Sequence, residues 1–166
     1  MKSLTIIFFV VLICSLSVAQ DGTLDTGFGV GGIVITPDGY ASCVKIQPDG
    51  KIVIGGTDSN DNFTAVRYNI DGTLDNSYGV NGIVKTFLSI DGSRMHASAL
   101  SPGNKIIQAG ITHLYTDNQK TALVRYDSTG GRDYTFGNDG VVLHDVTSGS
   151  EYISKVIVQP DEKIFI

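Results

Sequence analysis

Cysteine is scarce in this 166-residue sequence, which contains only Cys14 and Cys43. Cys14 falls in an N-terminal segment that we expect to be removed, so Cys43 remains as the single cysteine of the mature chain. One cysteine excludes an intramolecular disulfide and a metal site built from several cysteines. We therefore interpret Cys43 as a small buried hydrophobic residue.

Helical periodicity and excess positive charge are also missing. No stretch after residue 20 has sustained apolar spacing of 3.6 residues, so we predict almost no helix. The formal net charge is −5 and becomes −6 once Lys2 is removed. An acidic surface disfavours nucleic acid and anionic membranes as partners. We predict no nucleic-acid partner and no membrane insertion of the mature chain.

Residues 1–19 have the parts of a secretory signal peptide. Lys2 supplies positive charge, Leu4–Cys14 is apolar, and Ser17 and Ala19 are the small residues that a signal peptidase reads. We predict cleavage after Ala19 and a secreted or outer cell-surface location. A membrane anchor is the alternative, but the apolar run is shorter than the ~20 residues that span a bilayer.

The chain contains three copies of one unit, which we place at residues 21–70, 71–128 and 129–166, the last copy truncated. An Asp-Gly stretch, a proline-containing turn followed by Lys-Ile, and a Val-Arg-Tyr sequence recur in constant order. Recurring landmarks with loop-like insertions between them indicate a repeat architecture. The corresponding glycines are Gly22, Gly72 and Gly130, then Gly29, Gly79 and Gly137, then Gly32, Gly82 and Gly140.

Each unit carries four strand signals. In the first unit they are Gly32–Thr36, Tyr40–Gln47, Lys51–Gly56 and Asn62–Asn69, and the third of these is apolar on both faces, as expected for a fully buried strand. The Pro48-Asp49-Gly50 sequence is typical of a tight hairpin turn.

Four antiparallel strands in about 50 residues favour a β-propeller blade, because a sheet with two apolar faces must stack on its neighbours. A β-solenoid is the alternative, and the tight hairpins argue against it. The 20–166 segment holds about two and two-thirds repeats, since Ile166 corresponds to Ile54. A closed propeller takes roughly four to eight blades. We expect a partial propeller, either a fragment whose missing blades complete the ring or an open array.

The combined pattern QPDGKI (residues 47–52) and RYNIDGTLDNSYGVNG (residues 67–82) resembles the delta-60 repeat family of bacterial secreted proteins. The resemblance covers residues 21–166, although the copies at 101–104, 131–132 and 162 depart from the pattern. It implies a β-propeller-like fold and a bacterial, secreted or cell-surface protein. The function of that family is uncharacterised, so the resemblance adds fold and location.

Acidic residues in the repeats admit a calcium interpretation, because calcium is bound by several converging oxygen ligands. We favour the alternative that these carboxylates cap turns through backbone N–H groups. Asp58, Asn60 and Asn62 alternate in one loop, which we interpret as a solvated hairpin loop. The repeated acids are Asp21, Asp25, Asp71, Asp75 and Asp133.

Other polar residues also have structural interpretations. Arg67 and Arg125 each precede a repeated aspartate by eight residues, and we hypothesise that Arg67 pairs with Asp75 and Arg125 with Asp133. The three histidines occupy non-equivalent repeat positions, so we interpret them as surface or loop residues. No helix follows the glycine-rich stretches, which excludes a helix-based phosphate site. The histidines are His96, His113 and His144.

We assign no catalytic, cofactor-binding or metal-binding residue and no cofactor. The first functional hypothesis is a secreted, non-catalytic repeat scaffold for binding or adhesion, whose ligand is an unknown protein or carbohydrate. The alternative is a fragment of a propeller enzyme, a quinone-dependent dehydrogenase or a carbohydrate-active enzyme, whose catalytic blades lie outside this chain. Clustered catalytic side chains in a later blade would favour the enzyme.

Overall fold

The computed structural model describes residues 22–36, 38–116, 119–145 and 152–166. These residues form β-strands and turns without a helix, as the sequence predicts. The predicted signal peptide and Asp21 lie outside the described residues. The described residues include no helix with the length and hydrophobicity needed to span a bilayer.

The first sheet has four antiparallel strands in sequential order. They are β1 (Tyr40–Ile46), β2 (Ile52–Thr57), β3 (Phe63–Tyr68) and β4 (Ile83–Thr86). The Pro48-Asp49-Gly50 turn joins β1 to β2 as predicted, and Gly50 has the positive φ of 82° that this turn needs.

The second sheet repeats this arrangement, and a third sheet contributes two strands. The second sheet consists of β5 (Ser93–Ser101), β6 (Lys105–Thr112), β7 (Lys120–Tyr126) and β8 (Val141–His144). The third consists of β9 (Ile157–Val158) and β10 (Ile164–Phe165). The predicted blade of four antiparallel strands is confirmed.

The sheets are offset from the sequence repeats by one strand. The fourth strand of each sheet, β4 or β8, comes from the repeat that follows its first three strands. The prediction of a strand at Gly32–Thr36 is wrong, because this segment forms only an isolated bridge between Ile33 and Val30. Its equivalent β4 is a strand because β3 lies beside it, and no strand of the described chain takes that place beside residues 33–36.

The sheets stack face to face through apolar side chains. Phe63 of β3 is fully buried among side chains of the second sheet. The far face of the second sheet packs in turn on Ile153 and Val156, which precede β9. This stacking buries an otherwise exposed sheet face, which is the main driving force expected for repeat assembly. The partners of Phe63 are Met95, Ala122, Val124 and Tyr126.

Burial differs between equivalent strands. The prediction that Lys51–Gly56 is fully buried is wrong for Ile52 and Ile54, which are half-buried because their face of the first sheet is open. The equivalent strand β6 is buried from its second residue onward, since both of its faces are covered. Cys43 is half-buried rather than buried, and its Sγ lies 2.8 Å from the hydroxyl of Ser98.

Candidate functional site

A cleft of about 530 Å³ opens where the inner strands β1 and β5 begin, beside the segment that leads into β9. It is concave and carries both aromatic and polar side chains, which is the usual character of a ligand site. The residues that line it are Tyr40, Ser42, Thr57, Asp61, Arg94, Met95, His96, Ile111 and Tyr152.

Three of these residues occupy the same position in successive repeats. Tyr40, Arg94 and Tyr152 each lie seven residues before the Gln-Pro or Ser-Pro turn of their repeat. They meet in one cleft because the inner strand of each sheet contacts that of the next. Tyr40 and Tyr152 are 81% and 79% exposed, so both rings are available to a ligand.

Two β-bulges shape the cleft. The register of β1 against β2 shifts at Ser42, and that of β5 against β6 shifts at the equivalent His96. A bulge leaves one extra residue outside the ladder and redirects its side chain. The Ser42 hydroxyl donates a hydrogen bond of 2.9 Å to the Met95 carbonyl, and the Met95 N–H donates one of 3.0 Å to the Thr57 hydroxyl. These bonds hold the two sheets together at the base of the cleft.

His96 is a half-buried residue of β5, so its interpretation as a surface or loop residue is wrong. Its ring lies 4.5 Å from the ring of Tyr152, and its Nδ1 accepts a 3.3 Å hydrogen bond from the Ile153 N–H. Burial, and then the charge of Arg94, lower the pKa of His96 below its usual 6.5. The shift favours the neutral imidazole, and the bond from Ile153 to Nδ1 places the proton of that form on Nε2. The other two histidines agree with the interpretation, since His113 lies in a loop and His144 is exposed.

Asp61 is the single acidic side chain among the described lining residues. Its backbone has a positive φ of 56°, and its carbonyl accepts hydrogen bonds from the N–H and hydroxyl of Ser93. Its carboxylate accepts a 2.7 Å bond from the Tyr115 hydroxyl, which raises the pKa of that phenol. A pair of carboxylates, as glycoside hydrolysis commonly uses, is not available within this described set.

The hypothesised arginine–aspartate pairs are present in both repeats. Arg67 Nε lies 2.7 Å from Asp75 Oδ2, and Arg125 Nε lies 2.8 Å from Asp133 Oδ2. The Arg67 contact is a directed hydrogen bond, whereas the N–H of Arg125 Nε is misaligned and its contact is an ion pair. This part of the sequence prediction is confirmed.

A lysine that sequence reasoning missed completes each pair. Lys51 Nζ lies 2.7 Å from Asp75, and Lys105 Nζ lies 2.8 Å from Asp133. Both lysines occupy the position after the proline-containing turn, and that recurrence was the available signal. Each buried aspartate therefore pairs with two cations from the preceding repeat.

The arginine also ties one repeat to the next. Arg67 donates a 2.6 Å hydrogen bond to the carbonyl of Ser128 in the following repeat, and its guanidinium lies 4.3 Å from the ring centre of Tyr78. Arg67 is 4% exposed and its charge is already paired, so these contacts give it a structural role.

The repeated aspartates among the described residues also cap turns, as predicted. Asp71, Asp75 and Asp133 each accept two bonds from the residue two positions later, and Asp25 accepts one from Gly27. Asp58 is buried rather than solvated, and its carboxylate is occupied by the 60–62 loop and a lysine. Across the ranges that the structure describes, no three His, Cys, Asp or Glu residues are grouped to hold a metal ion.

We expect stability to fall in acid because of these buried carboxylates. Burial raises the pKa of Asp75, but bonds from Lys51 and Ser77 outweigh it, and the pKa is held below its usual value. Bonds from Lys105 and Thr135 lower the pKa of Asp133 in the same way.

A folded-state pKa below the unfolded value of about 3.9 means that the stabilisation is complete about one pH unit above that value and is lost as the pH falls through the folded pKa. Urea unfolding between pH 7 and pH 2 should show the loss beginning below about pH 5. The Asp75→Asn/Asp133→Asn variant should have a shallower pH dependence, and an unchanged slope would contradict this assignment.

Comparison with known families agrees with this architecture. The model of a domain of unknown function, DUF5122, described as a β-propeller, matches residues 47–78. No curated protein matches the chain. No solved structure matches it either. The matched segment runs from the turn before β2 through the Arg67–Asp75 pair to Tyr78. With its antiparallel four-stranded sheets, the chain is an all-β repeat protein of β-propeller-like blades.

Proposed function

We propose that this protein is a secreted or cell-surface repeat scaffold that binds a saccharide in the cleft at the inner strands. The observation that carries the proposal is the exposure of the Tyr40 and Tyr152 rings at equivalent repeat positions in one concave site. Flat aromatic faces cover the apolar faces of a sugar ring, and Arg94, Ser42 and Asp61 supply the hydrogen-bonding groups that a sugar's hydroxyls need.

A saccharide fits the cleft better than a protein partner does. Stable protein interfaces bury about 1,200–2,000 Å² over two broad surfaces. The described lining forms a cavity of about 530 Å³, which suits a small number of sugar units. Binding without turnover is favoured over glycoside cleavage, because Asp61 stands alone as the acid of the described lining.

The location and family parts of the proposal are supported by sequence features. The 1–19 segment has the pattern of a secretory signal peptide, and the repeat pattern resembles the bacterial delta-60 repeats. We propose that the mature chain begins at Gln20 and that its repeats belong to that family. The blades missing from a closed ring are proposed partners of the same architecture.

The test uses protein collected from the culture medium of a bacterial host, whose first residue by mass spectrometry should be Gln20. Neutral and uronic-acid-containing soluble polysaccharides are titrated into it by calorimetry. We expect at least one to bind, and Tyr40→Ala and Tyr152→Ala each to weaken binding by about tenfold or more, which corresponds to about 1.4 kcal/mol.

Tyr134→Ala is the matched control, because Tyr134 is 68% exposed and lies outside the cleft. It should bind as the unmodified protein does. The proposal fails if no polysaccharide binds, or if the two cleft variants bind as tightly as the control. Retention of the protein inside the cell with residues 1–19 attached would contradict the proposed location.

A further inference from the structure

One face of the first sheet carries apolar side chains that the described chain covers at β3, where Val66 is 4% exposed, but leaves largely open at β1. Val44, Ile54 and Val66 face the same side, because they lie directly opposite one another in the register of β1, β2 and β3. Val44 is 58% exposed, and Ile46 on the same face is 67% exposed. A continuous apolar sheet face of this kind marks an interaction surface.

The corresponding face of the second sheet shows what such a face packs against. The equivalents of Val44, Ile54 and Val66 are Ser98, Gln108 and Val124, and all three are buried. Gln108 donates a 2.9 Å hydrogen bond to the Thr64 carbonyl of the first sheet, and Val124 packs on Phe63. This face therefore receives the opposite face of the preceding blade.

Residues 22–36 already occupy the place of one strand from a preceding blade. The Gly29 N–H donates a 2.8 Å bond to the Asp71 carbonyl, just as the Gly79 N–H donates a 2.8 Å bond to the Thr129 carbonyl one repeat later. The hydroxyls of Thr36 and Tyr68 are hydrogen-bonded, as are those of the equivalent Thr86 and Tyr126. The 33–36 segment thus lies where the outer strand of a further blade belongs.

This segment lacks a neighbouring strand within the described residues. Its equivalent β4 pairs with β3, and in that register Phe63 lies directly opposite Thr86. A third strand added beside residues 33–36 in the same register would place its own first residue opposite Thr36.

A cavity of about 350 Å³ lies at this position. It is bounded by Thr36 on one side and by Gly56, Thr64 and Val66 on the open sheet face. The equivalent space in the second sheet, over Gly110, is filled by the ring of Phe63; a Cβ built on Gly110 would lie 2.7 Å from the ring. The cavity over Gly56 is therefore an aromatic socket that the described chain leaves unfilled.

We propose that the open face of the first sheet binds a further blade of this same repeat, whose third strand pairs with residues 33–36 and inserts an aromatic side chain over Gly56. The strand register and the cavity place that side chain independently at the same point. The interface between the first and second sheets shows the same kind of contact, in which one sheet face receives an aromatic side chain from the preceding blade's third strand.

A second copy of this chain does not present that surface. The Phe63 face of the first sheet is buried against the second sheet, and the equivalent face of the second sheet packs on Ile153 and Val156. The third sheet has two strands in the described residues, and these do not include the third strand that must pair with residues 33–36.

The test adds the proposed blade to the full chain. A second copy of residues 21–70 is inserted between Gln20 and Asp21, which reproduces the natural junction of Ile70 with an Asp-Gly sequence. The substitution Ile54→Cys is made in the original copy, with all other cysteines changed to alanine, and the labelling rate of this thiol is compared with and without the insert. The inserted blade should slow labelling by about tenfold or more and raise the urea midpoint.

Variants of the insert locate the contact. Phe63→Ala in the inserted copy alone should restore faster labelling, whereas Asn60→Ala at an exposed loop position should not. A thiol introduced instead by Ile90→Cys, at a position that is 90% exposed, should react equally in both proteins.

Equal labelling of the Ile54→Cys thiol with and without the insert would overturn the proposal, whether the inserted blade is folded elsewhere or unfolded. Labelling of the uninserted chain that slows as its concentration rises, and that Val44→Asp restores, would show that a second copy occupies the face and would also overturn it. Protection that survives Phe63→Ala in the insert would refute the aromatic socket.

Discussion

Replacing Asp75 with alanine is expected to lower the free energy of unfolding by about 3–5 kcal/mol, because it leaves the buried Arg67 without its counter-ion. Arg67 is 4% exposed and Asp75 is 5% exposed, so neither charge is well hydrated in the folded state. Lys51 is partly exposed and can turn its ammonium to solvent, but the Arg67 Nε cannot reach water in the same way. Urea unfolding at pH 7 measures the loss.

Two further variants separate burial from charge pairing. Asp161→Ala removes a comparable contact, the 2.7 Å pair with Lys163, but both side chains are more than half exposed. Surface pairs of this kind contribute about 0–1 kcal/mol, so this control should unfold close to the unmodified protein. Arg67→Met combined with Asp75→Leu removes both buried charges and should be more stable than Asp75→Ala alone. A double variant less stable than the single one would contradict the assigned cause.

The repeat pattern was enough to predict the blades and the Arg67–Asp75 pair, because both depend on residues that recur at fixed spacing. An arginine near the end of a strand and an aspartate eight positions later are local neighbours in both places where they occur, so the sequence carries their contact directly. Lys51 was missed because it lies 24 positions before Asp75, and only the hairpin geometry brings the two together.

The offset between sheets and repeats was not predictable in the same way. Residues Gly32–Thr36 and Ile83–Thr86 have the same β-branched character, but in the part of the chain that the structure describes only the second segment has a strand beside it. Strand formation here depends on a partner from another repeat, which is a tertiary effect that local propensity does not report.

The cleft depends on two features that a search for recurring residues does not reveal. The equivalent position is tyrosine in the first and third repeats (Tyr40, Tyr152) but arginine in the second (Arg94), so no motif marks it in all three. The bulges that redirect Ser42 and His96 add one residue to each inner strand, and no local sequence signal marks them. For this reason the sequence alone does not place His96 in a strand beside the cleft.

Replacing Phe63 with alanine is expected to lower the free energy of unfolding by about 3–5 kcal/mol, because it removes a fully buried ring from the interface between the first two sheets. The ring packs on Met95 and Val124, and the space over Gly110 is closed by it. Neighbours cannot fill the resulting cavity easily, since backbone atoms of β5 and β6 form its wall. Urea unfolding with a fitted slope measures the loss.

Phe63→Leu should recover most of this stability, because a nearly volume-conserving apolar substitution usually costs less than about 1.5 kcal/mol. Phe87→Ala is the matched control, since Phe87 is 69% exposed and should change stability by no more than about 0.5 kcal/mol. A loss of under about 1 kcal/mol for Phe63→Ala would mean that the two sheets are held by other contacts. It would also weaken the case for an aromatic socket over Gly56. The stabilisation expected from an aromatic side chain there is inferred from that of Phe63 over Gly110.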